Sequence, residues 1–392
     1  MFFKPSKDKF ARLFLKELKR AVPLRTYRYD AAQFCLQAEG DEGTVFLPNM
    51  YDEYCASPRL RRAEMLRRAC RGIAEGMTDL PAHIVNAEDK IVVRLRERWF
   101  YHAVPLQVPD NEIVKQIARK RLTDHLCIEV AYDTPDAIAS VTTEHLTGWK
   151  ISVDEAIEIG LKNLRKGTLK WMTEIAPGLY GSDWDDDYDA ARLLLADKVK
   201  ELGVKGEHVA LAPNRATLVV TGADDVDGLK GLIEAANMAV DRPRLMTMIP
   251  LVLRNGQWHE FLPDTSHPLH NEIKLLWAQW DTGEYGEQTE LLQAKFGDDI
   301  FVASYTAMKK DAGEVFSYAT LSEGLDTLLP RTEEIAFVDK DEKFLGAVPW
   351  EKMLEICGDI FEETEYYPPR YRVRQWPTDG QIRALASVLE QL

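Results

Sequence analysis

The sequence predicts an α+β fold built from several β-hairpins, each backed by a helix. Segments with strand character occur in neighbouring pairs joined by turn residues, and this hairpin-and-helix pattern occurs four times along the chain. Such hairpins form mainly antiparallel or mixed sheets, whereas a doubly wound fold alternates single strands with helices. The 392 residues exceed what one hydrophobic core organises, so we predict three α+β modules, at 1–105, 106–270 and 271–392.

The first module is predicted to be basic and to open with an amphipathic helix. Phe10 and Phe14 recur at helical spacing between cationic residues, and Pro23 ends the helix. The further elements predicted here are a hairpin of 32–38 and 43–48, a helix at 59–75 and a strand at 91–100. Pro105 and Pro109 then indicate a linker to the central module.

The central module is predicted to contain two hairpin-and-helix units. Ser152 and Glu155 form a capping box, so a helix begins at about residue 153. The other elements predicted there are strands at 126–132, 136–142 and 169–176, a helix at 188–202, strands at 208–213 and 216–221, and a helix at 226–240. In the acidic third module we predict strands at 300–308, 314–320 and 335–339, helices at 322–329 and 350–360, and an extended segment at 366–377.

Composition and charge exclude several classes of protein. No apolar run reaches the roughly 18 residues that a membrane span needs. Five scattered cysteines without a C-x-x-C pair fit a reducing compartment, so we expect a cytoplasmic protein. Residues 1–125 carry a net charge of +6 and residues 126–392 carry −21. The acidic balance repels phosphate backbones and disfavours extended binding of nucleic acid.

The sequence contains none of the common catalytic signatures. A dinucleotide-binding glycine motif, a phosphate loop, a nucleophile elbow and an H-E-x-x-H zinc motif are all absent from it. We therefore predict no organic cofactor and assign no catalytic residue, and the question of enzymatic activity stays open at this point.

One segment contains a candidate metal site. His259, His267 and His270 occur with Glu260 and Asp264 within twelve residues. Imidazole and carboxylate donors together suit zinc or another divalent ion, and either acid is then the natural base beside a metal-bound water. The alternative is that these histidines are hydrogen-bonded surface groups in a turn-rich segment.

The helix predicted at 59–75 has an arginine-rich face. Arg61, Arg67, Arg68 and Arg71 lie opposite its apolar side at 100° per residue. This face is a candidate site for an anion or for RNA. A solvated helix face explains the same pattern, because no aromatic residues alternate with the arginines for base stacking.

The extended segment at 366–377 combines arginine and aromatic residues. Its candidate binding residues are Arg370, Tyr371, Arg372 and Trp376. On an extended strand these side chains could stack on single-stranded bases or hold an acidic peptide. Period-two alternation gives a structural alternative, in which Tyr371 faces one way and both arginines face water on the other side.

Three further residues are candidates for binding. Tyr51 and Tyr54 are three residues apart, so both rings lie on one face of a short helix. Arg215 lies in a predicted hairpin turn, where its guanidinium can reach an anion or the acidic run at 183–189. We favour an internal ion pair, because a charge in a tight turn beside an acidic segment needs a partner.

An ordered succession of short motifs resembles a bacterial family. The motifs are NMYDEY at 49–54, ISVDEA at 151–156, YDAARLL at 188–194 and APNR at 212–215. In this order they are similar to the YtpQ-like family, whose domain has no known function. The resemblance implies a soluble, cytoplasmic bacterial protein and assigns no role to any residue.

These observations favour a non-catalytic module that binds or scaffolds another protein or a peptide. The missing catalytic motifs and the unequal charge of the two parts of the chain motivate this hypothesis. A metal-dependent hydrolase using the histidine and acid cluster at 259–270 is the first alternative. An RNA-binding protein using the arginine-rich helix and the segment at 366–377 is the second.

Overall fold

Helices pack on five separate sheets in the computed structural model, which describes residues 4–39, 43–76, 79–109, 111–184, 186–240, 242, 244–310 and 313–385. The helices in these residues are α1 (Lys7–Ala21), α2 (Pro48–Ala56), α3 (Arg62–Gly76), α4 (Phe100–Gln107), α5 (Glu112–Gln116), α6 (Thr143–Trp149), α7 (Val153–Gly167), α8 (Ala196–Val199), α9 (Val226–Ala239), α10 (His270–Phe296), α11 (Trp350–Cys357) and α12 (Asp379–Leu385).

Most of the strands are short. In chain order they are β1 (Tyr27–Asp30), β2 (Cys35–Ala38), β3 (Thr44–Phe46), β4 (Ile91–Glu97), β5 (Arg119–Arg121), β6 (Leu126–Asp133), β7 (Ile138–Ser140), β8 (Thr173–Ala176), β9 (Leu179–Gly181), β10 (His208–Asn214), β11 (Thr217–Gly222), β12 (Leu251–Arg254), β13 (Gln257–Glu260), β14 (Phe301–Val302), β15 (Thr306–Lys309), β16 (Val315–Ser322), β17 (Thr327–Pro330), β18 (Glu334–Val338), β19 (Phe344–Pro349), β20 (Phe361–Glu363) and β21 (Arg370–Val373). Within the described residues most strand pairs are antiparallel and two are parallel, which confirms the α+β class.

The first sheet, in the order β1-β2-β3, packs against α1 and α3. The apolar face of α1 is fully buried, with Phe10, Phe14 and Leu18 at 0% exposure. Ser6 begins this helix by accepting a hydrogen bond from the Lys9 amide at 3.2 Å, as an N-cap does. The predicted first helix and the hairpin of β2 and β3 are confirmed, and β1 adds a third strand.

The second sheet, β4-β6-β5 with β7 beside β6, has one apolar face and one charged face. Ile91 and Val93 of β4 point into the core under α7, whereas Arg94 points to the opposite side because strand residues alternate. Helix α7 begins with the predicted capping box. Gly160 of α7 lies so close to Val93 that a Cβ atom there would be 2.7 Å from Val93 Cγ1. Since β4 pairs with β6, the boundary predicted after residue 105 separates strands of one sheet.

The third sheet is antiparallel in the order β13-β12-β10-β11-β9-β8. The predicted hairpin of β10 and β11 and the helix α9 are both confirmed. Helices α9 and α10 cover one face of this sheet, and the other face packs towards the second sheet. The turn of the β10–β11 hairpin therefore projects towards the charged residues of β4.

Two mixed sheets form the part of the chain after α10. The fourth sheet has the order β14-β17-β21-β20, and the fifth has the order β15-β16-β18-β19. Each contains one parallel pair, β14 with β17 and β16 with β18. Helix α11 is where a helix was predicted, and it packs on a core between the two sheets that includes Val348, Trp350 and Met353.

Several predicted elements are wrong. The residues predicted as a helix at 188–202 form a 3₁₀ turn at Ala190–Leu194 and the four-residue α8. The helix predicted at 322–329 gives way to strand β17, because its apolar residues pair with β14 and β21. Pro105 lies inside α4 rather than in a linker. The 27-residue α10 was not predicted, and none of the described helices combines the length and apolarity of a membrane span.

Candidate ligand-binding cavity

A cavity of about 1170 Å³ lies between α2 and α3 on one side and the second sheet, α7 and the β10–β11 turn on the other. Its lining carries both signs of charge. The arginines that line it are Arg61, Arg68, Arg94, Arg192, Arg215 and Arg244. The carboxylates that line it are Glu53, Glu64, Asp89, Asp133, Asp136, Asp186 and Asp187.

The charged face of the second sheet supplies one end of the cavity. Arg94 and Glu129 are opposite each other on β4 and β6, and Arg94 Nη2 lies 2.5 Å from Glu129 Oε1. Arg96 Nε lies 3.1 Å from the other carboxylate oxygen, to which Tyr101 also donates. Burial raises the pKa of Glu129, but the two guanidinium groups outweigh it and hold the pKa at about 2. One carboxylate thus pairs with two arginines.

Arg215 lies at this end of the cavity without a hydrogen-bonding or ion-pair partner among the described residues. Within the described part of the chain, its half-buried guanidinium makes no hydrogen bond and no ion pair. Burial lowers its pKa to about 9, and the positive charges of Arg94, Arg96 and Arg244 lower it in the same direction. The acid that opposes this effect is Glu97. The three neighbouring guanidinium groups therefore create a positive field at Arg215, which the carboxylate of Glu97 partly offsets.

The predicted ion pair between Arg215 and the acidic run at 183–189 is not formed in the described part of this segment, which excludes Asp185. Asp186 instead makes a two-bond pair with Arg192, at 2.8 and 2.6 Å. Arg192 is 1% exposed, so its own burial requires that carboxylate. The carboxylate of Asp186 is therefore already paired with Arg192.

The other lining charges are mostly paired. Arg244 lies 2.6 Å from Glu53, so that pair connects α2 to the loop after α9. The arginine face predicted for the helix at 59–75 is divided: two of its members line the cavity and two are ion-paired beside it. The first two are Arg61 and Arg68; the others are Arg67, at 3.5 Å from Glu64, and Arg71, at 2.6 Å from Asp136.

The two candidate tyrosines of α2 belong to the core of the first sheet. Both rings lie on one face of the helix, as predicted, and pack edge-on against Phe10 with ring centroids 5.4 Å from Tyr51 and 5.2 Å from Tyr54. The hydroxyl of Tyr51 donates to the Pro5 carbonyl at 2.8 Å. Their role in the structure is packing, and neither lines the cavity.

The arginine and aromatic side chains of the segment at 366–377 are also structural. Arg370 is 1% exposed and donates to Gln288 and to two backbone carbonyls. This side chain, which the alternation of the strand placed on the face towards water, is therefore buried. The remaining members pack or pair within the fourth and fifth sheets: Tyr371 against Trp350, Arg372 with Asp326, and Trp376 against Phe337. The geometry does not support a binding strand here.

The candidate metal residues do not converge. In the part of the chain that the structure covers, no group of three or more His, Cys, Asp or Glu side chains is placed to hold a metal ion. His259 is exposed on β13, and Glu260 is occupied by the backbone amides of Asp124 and His125. The rest of the cluster lies in turns: His267 accepts from the Leu269 amide, His270 lies 2.7 Å from the Pro263 carbonyl, and the Asp264 carbonyl accepts from the His267 amide.

The structure contains a cluster of titratable residues that the sequence did not predict. Glu284 of α10 is 4% exposed and lies 3.7 Å from His125 Nδ1, which is also 3.1 Å from the hydroxyl of Tyr367. Burial lowers the pKa of His125, but the carboxylate of Glu284 outweighs it and raises the pKa above its ordinary value. Burial raises the pKa of Asp281, one turn earlier on α10, to about 6. None of these side chains lines the cavity described above.

Fold and site together define an α+β protein with an arginine-lined cavity between its first and second sheets. Comparison of the chain with protein-family profiles, with curated proteins and with solved structures found no match. The resemblance to the YtpQ-like family therefore stays a prediction.

Proposed function

We propose that this protein binds an acidic segment of another protein or peptide in the arginine-lined cavity, and that it acts by binding rather than by catalysis. The observation that carries the proposal is Arg215. A half-buried guanidinium among other cations is stabilised by a counter-charge or by a set of acceptors, and a ligand carboxylate provides both through paired hydrogen bonds.

Arg370 is a buried arginine with a structural role, and its contacts can be compared with those of Arg215. In the part of the chain that the structure covers, Arg370 also has no carboxylate partner, yet its donors are satisfied by Gln288, Thr289 and two backbone carbonyls. Arg215 has no equivalent set of acceptors in the described residues. This contrast within one chain favours a ligand for Arg215 over a packing role.

The lining favours a peptide over a nucleic acid. Seven carboxylates share the cavity with six arginines, so a chain of phosphates meets repulsion as well as attraction. Tyr188 is the one aromatic residue among the described lining residues, which leaves little for bases to stack on. A peptide with side chains of both signs matches such a surface, and the flexible Met50 and Met65 can adapt to its apolar groups.

The two carboxylates that pair with the lining arginines Arg94 and Arg244 are poorly suited to proton transfer. Glu129, with a pKa of about 2, is too weak a base to accept a proton near neutral pH. Glu53 is held by Arg244 at 2.6 Å. A binding role needs neither group to change its charge.

Selection from a random peptide library, with the full chain as bait, tests the proposal. We expect the selected peptides to share an Asp or Glu at a fixed position. Their affinity, measured by fluorescence anisotropy, should fall about tenfold or more for Arg215→Met, because a charged hydrogen-bonded pair is lost. Arg254→Met is the matched control: Arg254 is exposed on β12, pairs with Glu207 and lies outside the cavity.

Two results would contradict the proposal. One is a library selection that yields no acidic consensus. The other is a set of peptides that bind Arg215→Met as tightly as they bind the natural chain.

A further inference from the structure

A second, separate cavity of about 520 Å³ lies between α7, the end of β5 and the β12–β13 hairpin. It occurs where the core under α7 meets the core of the third sheet. Ile128 and Leu194 pack against both cores, and Leu122 and Leu161 each pack against one of them. All four side chains are only half-buried, so the cavity has an aliphatic wall that the protein does not fill.

Thr123 is one of the residues that line the same cavity, and its hydroxyl is buried. Thr123 is 5% exposed, and its Oγ1 has no hydrogen-bond partner in the described residues. Its backbone amide is satisfied by the Leu126 carbonyl at 3.1 Å. A buried hydroxyl without a partner is unfavourable in a folded protein, so a partner supplied by a ligand would be stabilising.

Hydrogen-bond donors dominate the polar rim. Lys120 uses one of its three donors on Asp154 at 2.6 Å, and Arg121 pairs with Asp124 while retaining further N–H groups. By contrast, Glu260 Oε1 already accepts from two backbone amides. The ligand group that fits beside Thr123 is therefore an acceptor, and a negatively charged one suits the two cations.

We propose that this cavity binds a small amphipathic carboxylate. Its apolar body would lie against the four aliphatic side chains, and its carboxylate would accept hydrogen bonds from Thr123 Oγ1 and from Lys120 or Arg121. The volume falls within the roughly 300–1,000 Å³ of typical small-molecule sites. This site is independent of the arginine-lined cavity and of the peptide proposed there.

The test uses the full chain with two probes, the fluorescent arylsulfonate 8-anilino-1-naphthalenesulfonate and decanoate as its competitor. We expect saturable binding of one dye molecule per chain and its displacement by decanoate. Thr123→Val removes the hydroxyl but keeps the shape, so decanoate affinity should fall about tenfold. The melting temperature without ligand should stay equal or rise, since an unpartnered polar group has been removed. Thr147→Val, at an exposed position of α6, is the control and should change neither quantity.

Filling the cavity gives a second readout. Leu161→Trp should abolish binding of both probes, and Ala196→Leu, which adds a smaller group to the same lining, serves if the tryptophan variant fails to fold. Equal decanoate affinity in Thr123→Val, or dye binding that survives in a folded cavity-filled variant, would overturn the proposal. Arg215→Met should bind decanoate normally, so failure here is distinguishable from failure of the proposed peptide site.

Discussion

Replacing Arg215 by methionine should stabilise the free protein while it weakens peptide binding. Methionine keeps the length of the apolar stem and removes the charge. The pKa of Arg215 is about 9 where an arginine ordinarily has 12.5. Since each pH unit corresponds to about 1.4 kcal/mol, keeping this guanidinium charged at neutral pH costs at most about 5 kcal/mol.

Solvent reduces that figure, because the side chain is only half-buried. We therefore expect Arg215→Met to raise the free energy of unfolding by about 1–2 kcal/mol, a rise of a few degrees in melting temperature. The free-energy cost of keeping Arg215 charged in the folded protein is fully present below pH 9, where Arg215 is charged in both the folded and the unfolded state. It decreases as the pH rises through 9, because the folded state then loses the proton while the unfolded state keeps it.

The assay is thermal and urea unfolding of the natural chain, Arg215→Met and the control Arg254→Met at pH 7 and pH 10. The control breaks an exposed ion pair with Glu207 and should change stability by less than about 1 kcal/mol. The stability gain of Arg215→Met should be larger at pH 7 than at pH 10. A clear loss of stability at pH 7 would refute the reasoning, because it would mean that the guanidinium has a stabilising partner within the chain.

Three further predictions concern other buried charges. Glu129→Gln leaves two buried arginines without their shared counter-charge, so the free energy of unfolding in urea should fall by about 3–5 kcal/mol. Glu284 raises the pKa of His125, so this pair stabilises the fold most below pH 6.5, and its contribution is lost as the pH rises through the raised pKa of His125 in the folded state. Glu284→Gln should therefore make the melting temperature depend less on pH between pH 6 and pH 8. Arg370→Met should lower the free energy of unfolding by about 2 kcal/mol or more, because several buried acceptors lose their donor; unchanged stability in urea would contradict the structural role assigned to it.

Local signals explain which elements the sequence could predict. Helix α7 carries its capping box at Ser152 and Glu155, and the β10–β11 hairpin has strong apolar strands around a turn at Asn214. Both signals lie within a few residues of the element that they specify. Elements whose formation depends on contacts far along the chain were the ones predicted wrongly.

Helix α10 shows why long-range contacts escape such an analysis. It contains Gly283 and Gly286, and it buries the polar side chains of Glu284 and Gln288. Its apolar positions therefore lack a clear helical period. Gln288 is buried because it binds the Arg370 guanidinium and the Pro368 carbonyl, about eighty residues later in the chain.

The candidate site was predictable only in part. Arg215 was identified from its turn, and Arg61 and Arg68 from their helix, but the grouping of Arg215 with Arg94 and Arg244 depends on the packing of separate sheets. A usable signal was the alternation of β4, which places arginines between apolar core residues. Such a charge on a half-buried strand needs a partner, and that requirement points to a polar interior.

The most direct test of the central claim is a double-mutant cycle between Arg215 and the acidic residue of the best selected peptide. Four dissociation constants are measured at one salt concentration, for the natural chain and Arg215→Met, each with the peptide and with its Asp→Asn or Glu→Gln form. The amide peptide should bind the natural chain about tenfold more weakly and Arg215→Met with no further loss. An equal loss of affinity for both proteins would show that the carboxylate does not bind at Arg215.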